Sequence, residues 1–334
     1  FRETDVLDYL GGDMQPRCEC ERCRAIGNYA DRELYIVHEV RKAIAEAYAS
    51  GYLDRDVPIT YYAYGETMQP PARPAPAGFD TAMTMVQLWA FRCFSHRLDD
   101  PACCQDWPHV AYAGSDHAFL EEIPSHGTLL RYQRAWKEAV GSCALGFYPY
   151  NAGMYFVERS YFLHFSEFSF LAQLGTPAVS YMHLPSAGST WGFKKLFWFV
   201  TSCLQWDSSL DWRTLVQEYF TFYFGERADK AERVARLLDE ALSPLQKLKF
   251  YLLDLLRDRP ETDVCALFDR DDYLSLAGTG KWMPSLEEAS RLAGQALALT
   301  EELPLSEEER ALIAYSAHTA RFCHRYLTAR LHPE

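Results

Sequence analysis

No apolar run in this chain reaches the length of a membrane span. The longest, such as Leu196–Leu204, fall well short of the roughly 20 residues a bilayer core requires. We read no signal peptide; residue 1 is Phe, so the start does not indicate a location. Positive charge is scarce too. The 33 basic and 46 acidic side chains give a formal net charge of −13, with no basic stripe, which argues against a phosphate-backbone partner. Neither nucleic acid nor a membrane is therefore the expected partner. Internal repeats are missing, and the only biased segment is one proline loop. The ten cysteines are too few for a disulfide-built mini-domain.

What is present describes a large globular protein. With 334 residues, 49% of them hydrophobic, the chain can bury a substantial core and suggests two domains. The aromatic share is 15%, which fits a thick core and also a cleft that stacks on sugar rings. Up to about residue 190, strand-like and helix-like segments alternate. Strands are predicted at Glu3–Tyr9, Ile59–Tyr64, Ala82–Ala90, Cys143–Tyr148 and Ala178–His183. Helices are predicted at Asp31–Ser50, Gly127–Val140 and Tyr161–Leu174; the first places Leu34, Val37, Val40 and Ile44 at helical spacing and stops at Gly51. This alternation predicts an α/β fold with a parallel sheet.

Two connections break the rhythm. Glu66–Asp80 is a proline loop, and Arg92–Pro124 is a long loop carrying Cys93, His96, Cys103 and Cys104. From Trp191 the strand signals stop. Helices are predicted at Trp191–Trp206, Asp211–Phe224, Ala228–Leu242, Pro244–Arg257, Pro284–Leu299 and Ser306–Leu331, the last opened by the capping box Ser306–Glu309. The expected division is 1–190, α/β and catalytic-like, and 191–334, all-helical.

The densest chemistry lies in Thr4–Cys23. A β-prone run ends in Asp8, Gly11, Gly12 and Asp13, and Cys18-x-Cys20-x-x-Cys23 follows. Three sulfurs within six residues cannot easily pair with one another in good disulfide geometry, but they readily converge on one soft metal ion. Zinc would take Cys18, Cys20 and Cys23 with Cys93 or Cys103 as the fourth ligand, and His96 in reserve. Such a structural site would pin the loop after one strand to the loop after another. Free thiols, or a disulfide between the two loops, are the alternatives. The clustering favours a reducing compartment such as the cytoplasm over an oxidising one.

An ordered series of motifs then becomes visible. Asp13 precedes Cys18/Cys20/Cys23; Tyr61-Tyr-Ala-Tyr64 leads into Pro70-Pro71; and Arg92, Cys93 and His96 precede Leu98–Pro101 and Cys103. Leu204–Asp207 and the Tyr219–Gly225 segment follow. Over roughly residues 5–240 this order resembles a mostly bacterial glycoside-hydrolase-like family, a domain of unknown function with a TIM-type barrel similar to those of α-glucuronidases and β-hexosaminidases. The resemblance implies that the five strands are the last five of a (β/α)8 barrel, followed by an all-α domain, with the first strands supplied upstream. If residue 1 is the true beginning, exposed sheet edges make a partner chain or homo-oligomer the expectation.

Glycoside hydrolysis requires one protonated and one ionised carboxyl flanking the bond. Asp8, Asp13 and Glu66 fall at predicted strand ends. Asp13 and Glu66 are the expected pair, with Glu66 as the acid because Tyr61, Tyr62 and Tyr64 would partly desolvate it. Tyr64, Trp89, Tyr148, Tyr150, His183 and Trp191 are the expected sugar-contacting residues. The family pattern is incomplete: Phe147-Tyr-Pro-Tyr150 replaces a more acidic strand end, and His183-Leu-Pro-Ser186 carries no carboxylate. A carbohydrate-binding or scaffold protein on the same fold is therefore the rival reading. A zinc-dependent hydrolase, using an open metal position near His96 or His117, is the third.

Overall fold

A computed structural model describes residues 5–11, 17–90, 97–100, 126–149, 161–176, 193–246 and 286–331. These fall into two units, the division passing through a helix between Ser169 and Phe170. The first holds a four-stranded, wholly parallel sheet: β1 (Leu7–Leu10), β2 (Ile59–Tyr64), β3 (Thr84–Ala90) and β4 (Ala144–Pro149), in that spatial order. The α/β expectation holds, and the strands expected over 59–64, 82–90 and 143–148 lie within two residues of their predicted bounds. β1 starts later than predicted, and the fifth expected strand, 178–183, lies outside the described residues.

Alternation along each strand divides the sheet into two faces. Ile59, Tyr61 and Ala63 on β2, Val86 and Leu88 on β3, and Leu145 and Phe147 on β4 form one face, all of it buried. This face meets α2 (Tyr29–Ala49) and α3 (His126–Val140), with the Tyr61 ring 6.1 Å from that of Trp136. Helix α2 begins at a capping box: Asn28 Oδ1 accepts from Asp31 N at 3.0 Å, and Asp31 Oδ2 accepts from Asn28 N at 2.7 Å. Its buried stripe is Ala30, Asp31, Glu33, Leu34, Val37 and Arg41. Val40 and Ile44, expected inside, are only half-buried. Arg41 takes the inner position because its guanidinium meets Asp56 at 2.5 Å and Asp80 at 3.0 Å.

Parallel strands need a crossover, and between β2 and β3 no helix supplies it. A short 3-10 turn, Gly65–Met68, is followed instead by an extended proline strap. The strap tracks α2 from its start toward its middle. Asn28 Nδ2 donates to Pro70 O at 2.8 Å, and Asp31 accepts from Ala72 N at 3.3 Å and Arg73 N at 3.0 Å. Further along, the rings of His38 and Phe79 stack, and Arg41 holds Asp80. Toward α3, Trp136 Nε1 donates to Met68 O at 2.9 Å and Ala75 N to Ala139 O at 3.1 Å. Prolines suit this path because they carry no N–H needing a partner.

In the second unit every described element is helical. It contains α4 (Tyr161–Gln173) as far as Ser169, α5 (Lys194–Trp206), α6 (Trp212–Phe224), α7 (Ala228–Gln246), α8 (Leu286–Thr300) and α9 (Glu307–Leu331). Many of the aromatics pack here: the rings of Tyr161 and Phe197 lie 4.7 Å apart, and Phe165, Phe168, Leu196 and Val216 are all buried. Asp239 caps α4 by accepting from Tyr161 N at 2.8 Å. The Ser306–Glu309 capping box is present as expected. Helix α7 differs from expectation, continuing through Pro244 to Gln246 instead of breaking before it. There the proline ring displaces the hydrogen bond that an N–H would have made to the carbonyl four residues earlier, a cost the helix absorbs without ending. Among the described residues no helix is long and apolar enough to cross a membrane.

The strap gives this fold its most testable joint. Replacing Asp31 with Ala strips an acceptor from three backbone N–H groups and should cost about 2–4 kcal/mol, read as a lower urea midpoint. Gly27 has φ +141°, and a Cβ there would sit 2.1 Å from the Asp31 carboxylate. Gly27→Ala should therefore destabilise by about 1–3 kcal/mol through the same joint.

Candidate functional site

The strand register brings three expected sugar-contacting positions into line. Tyr64 pairs with Trp89, and Trp89 with Tyr148, so the three occupy one row, on the face away from α2 and α3. The row lies at or next to the carboxyl ends of β2, β3 and β4. Neighbouring strands are about 4.8 Å apart, so it spans roughly 10 Å. The next row inward is Leu10, Tyr62, Gln87 and Gly146. Tyr62 donates to Asp8 Oδ1 at 3.3 Å, which puts a carboxylate on this face, and Gln87 is buried there with no hydrogen bond to its Oε1 among the described residues.

Glu66 stands in the 3-10 turn directly after β2. The three tyrosines do not enclose it as one set. Alternation sends Tyr61 to the helix-covered face and Tyr62 and Tyr64 to the other, and the Glu66 side chain is 42% exposed. Its partner is Arg17, whose Nε lies 3.8 Å from Glu66 Oε2. The same guanidinium hydrogen-bonds Glu33, a buried carboxylate on α2 that also accepts from the Tyr9 hydroxyl at 2.6 Å. Burial, reinforced by the Glu33 hydrogen bond, pushes the Tyr9 phenol well above its ordinary pKa and keeps it a donor. Gly11 makes room for this carboxylate, since a Cβ there would lie 3.2 Å from it.

The cysteines form the second constellation. Cys20 is the residue before α1 (Glu21–Ile26), and Cys23 lies in that helix. The sulfurs of Cys18, Cys20 and Cys23 all lie within 4.8 Å of one another. Zinc–sulfur bonds of about 2.3 Å place tetrahedral sulfurs roughly 3.8 Å apart, so the set fits one soft ion after a small contraction. All three are free thiols, Cys18 and Cys20 exposed and Cys23 half-buried. Hydrogen bonds from the Cys23 backbone, then from the Cys18 and Cys23 side chains, bring Cys20 down to about 7, while hydrogen bonds with the Cys20 thiol, then the Cys18 thiol, push Cys23 up to about 11. Arg32 of α2 fastens the segment, donating to Cys18 O at 2.8 Å, Glu19 at 3.0 Å and Gly27 O at 3.1 Å.

The structure thus brings Cys18, Cys20 and Cys23 together and puts Tyr64, Trp89 and Tyr148 in one row. Asp13, Cys93, His96, Cys103, His117, Tyr150, His183 and Trp191 lie outside the described residues. Sequence reasoning missed Arg17 and Glu33. The available signal was position: Glu33 falls in the inner stripe of α2, beside Leu34 and one turn before Val37, where a carboxylate needs a cationic or hydroxyl partner.

In metal-free, reduced protein, iodoacetamide should label Cys20 ahead of Cys23, with the Cys20 rate half-maximal near pH 7 and rising above it as the thiolate forms. Cys143 should stay unlabelled, since burial pushes its thiol up to about 12. Mass spectrometry of tryptic fragments checks both.

Scanned against protein-family models, against curated proteins and against solved structures, the chain matches nothing in any of the three.

Proposed function

We propose that this protein is glycoside-hydrolase-like and acts on a carbohydrate, a uronic-acid or hexosamine glycoside, by paired carboxylate chemistry. Its parallel sheet belongs, on this reading, to a (β/α)8 barrel followed by a C-terminal helical domain. The observation that carries the proposal is the row Tyr64–Trp89–Tyr148 near the strand ends, on the face away from the helices. Barrel enzymes assemble their sites at the carboxyl ends of strands, and aromatic positions suit the C–H faces of sugars. The strand order β1-β2-β3-β4 supports a barrel segment, since a doubly wound sheet reverses its order at a switch point. Asp13 and Glu66 are the proposed acid/base pair. The cysteine cluster is proposed to hold a structural zinc, with Cys93 or Cys103 as fourth thiolate.

A non-catalytic carbohydrate-binding role is the second reading, favoured by Glu66 being exposed and paired with Arg17. Chromogenic glycosides, uronides and hexosaminides included, separate the two. An enzyme should lose at least about 100-fold in kcat/KM on Glu66→Gln. A binder should show no turnover, and its sugar affinity should ignore Glu66→Gln. On either reading Trp89→Ala should weaken sugar binding about tenfold, or about 1.4 kcal/mol, by calorimetry. Sugar binding indifferent to Trp89 would sink both.

A further inference from the structure

We propose that a zinc-class ion on Cys18, Cys20 and Cys23 sets the position of Arg17, and through it the ion pairing of Glu66. The inference rests on the zinc reading above and assigns that site a control role over the rim of the sheet. It begins with a helix held only from outside, by arginines of its neighbours. Helix α1 is six residues long and buries no side chain, so neither its length nor a core contact stabilises it. What fixes it from outside is Arg32, gripping the carbonyls of Cys18 and Gly27 on either side of it, and Arg73 of the strap, donating to Ala25 O at 2.9 Å. An ion shared by three sulfurs would close the remaining freedom from within. The local charge suits a thiolate site: in a chain of net charge −13, Arg17, Arg22, Arg24 and Arg32 all lie close to the three thiols in sequence or across the Arg32 contacts.

Arg17 is the residue next to Cys18, and it holds two carboxylates at once. It hydrogen-bonds Glu33 and stands 3.8 Å from Glu66. Fixing the Cys18 backbone therefore fixes the origin of the Arg17 side chain. A loaded site keeps the guanidinium between Glu33 and Glu66, and an empty one lets the segment, and with it Arg17, move away from Glu66. Linkage makes the coupling reciprocal: if the ion steadies the Arg17 clamp, the clamp must strengthen ion binding by the same factor.

The test is a zinc titration of the reduced full chain against a competing chelator. Wild type should bind one zinc per chain, Cys20→Ser should bind at least tenfold more weakly, and Cys143→Ser should bind as wild type. Arg17→Ala should weaken zinc three- to tenfold. Arg17→Lys, which keeps the charge and loses the fork, should not restore it. Glu33→Gln keeps the shape of its side chain and should weaken zinc in the same direction, which covers the case of a misfolded Arg17 variant. Normal zinc affinity in folded Arg17→Ala and Glu33→Gln overturns the coupling and leaves the metal site standing. Absence of zinc binding in wild type overturns the site and the coupling together. Neither result touches the carbohydrate reading, because no sugar enters the measurement.

Discussion

The first unit depends on how the chain passes from β2 to β3 without a helix. Two adjacent parallel strands oblige the chain to return the length of the sheet, and an unsupported return would leave its backbone groups without partners and its path undefined. The proline strap meets the constraint in two ways. Its prolines lower the number of N–H groups that need acceptors, and Asp31 accepts from two of those that remain. The same carboxylate closes the capping box of α2, so the start of the helix and the course of the strap share one buried group. Gly27 is where the chain turns tightly enough to let that carboxylate approach.

Helix α2 carries charge where an amphipathic helix would carry only apolar side chains. Asp31, Glu33 and Arg41 are each less than a tenth exposed. Burying a charge costs several kcal/mol unless it is paired, and each of these is answered: Asp31 by backbone N–H groups, Glu33 by Arg17 and Tyr9, Arg41 by Asp56 and Asp80. The three act at different points along the helix. Asp31 anchors the strap, Glu33 anchors the segment after β1, and Arg41 ties down Asp56 ahead of β2 and Asp80 ahead of β3. An apolar stripe would pack as well, but it would not specify which loop lies where.

That explains what was legible in the sequence. Period-two runs bounded by Gly and Pro marked β2, β3 and β4, and helical spacing marked α2, α3 and α5–α9, because those patterns record burial on one face. The thiol cluster was legible because three cysteines in six residues leave little room for another geometry. The register row of Tyr64, Trp89 and Tyr148 was legible only as three separate strand ends, since sequence does not state which residues sit side by side. Arg17, Glu33 and the substitution of Arg41 for Val40 and Ile44 in the inner stripe were not legible. Long-range ion pairs leave no periodic trace, and a charged residue within a helix reads by default as solvated surface. Pro244 misled because a proline costs a helix a hydrogen bond without forbidding it.

The two constellations meet at one arginine. Glu66 follows β2, the cysteine cluster precedes α2, and the sequence distance between them hides the contact that joins them. Through Arg17 the segment 17–23 is tied both to the inner face of α2 and to the turn after β2, two places that no local pattern connects. The cysteine cluster need not touch Glu66 to be joined to it; it is enough that the residue beside the cluster faces that carboxylate.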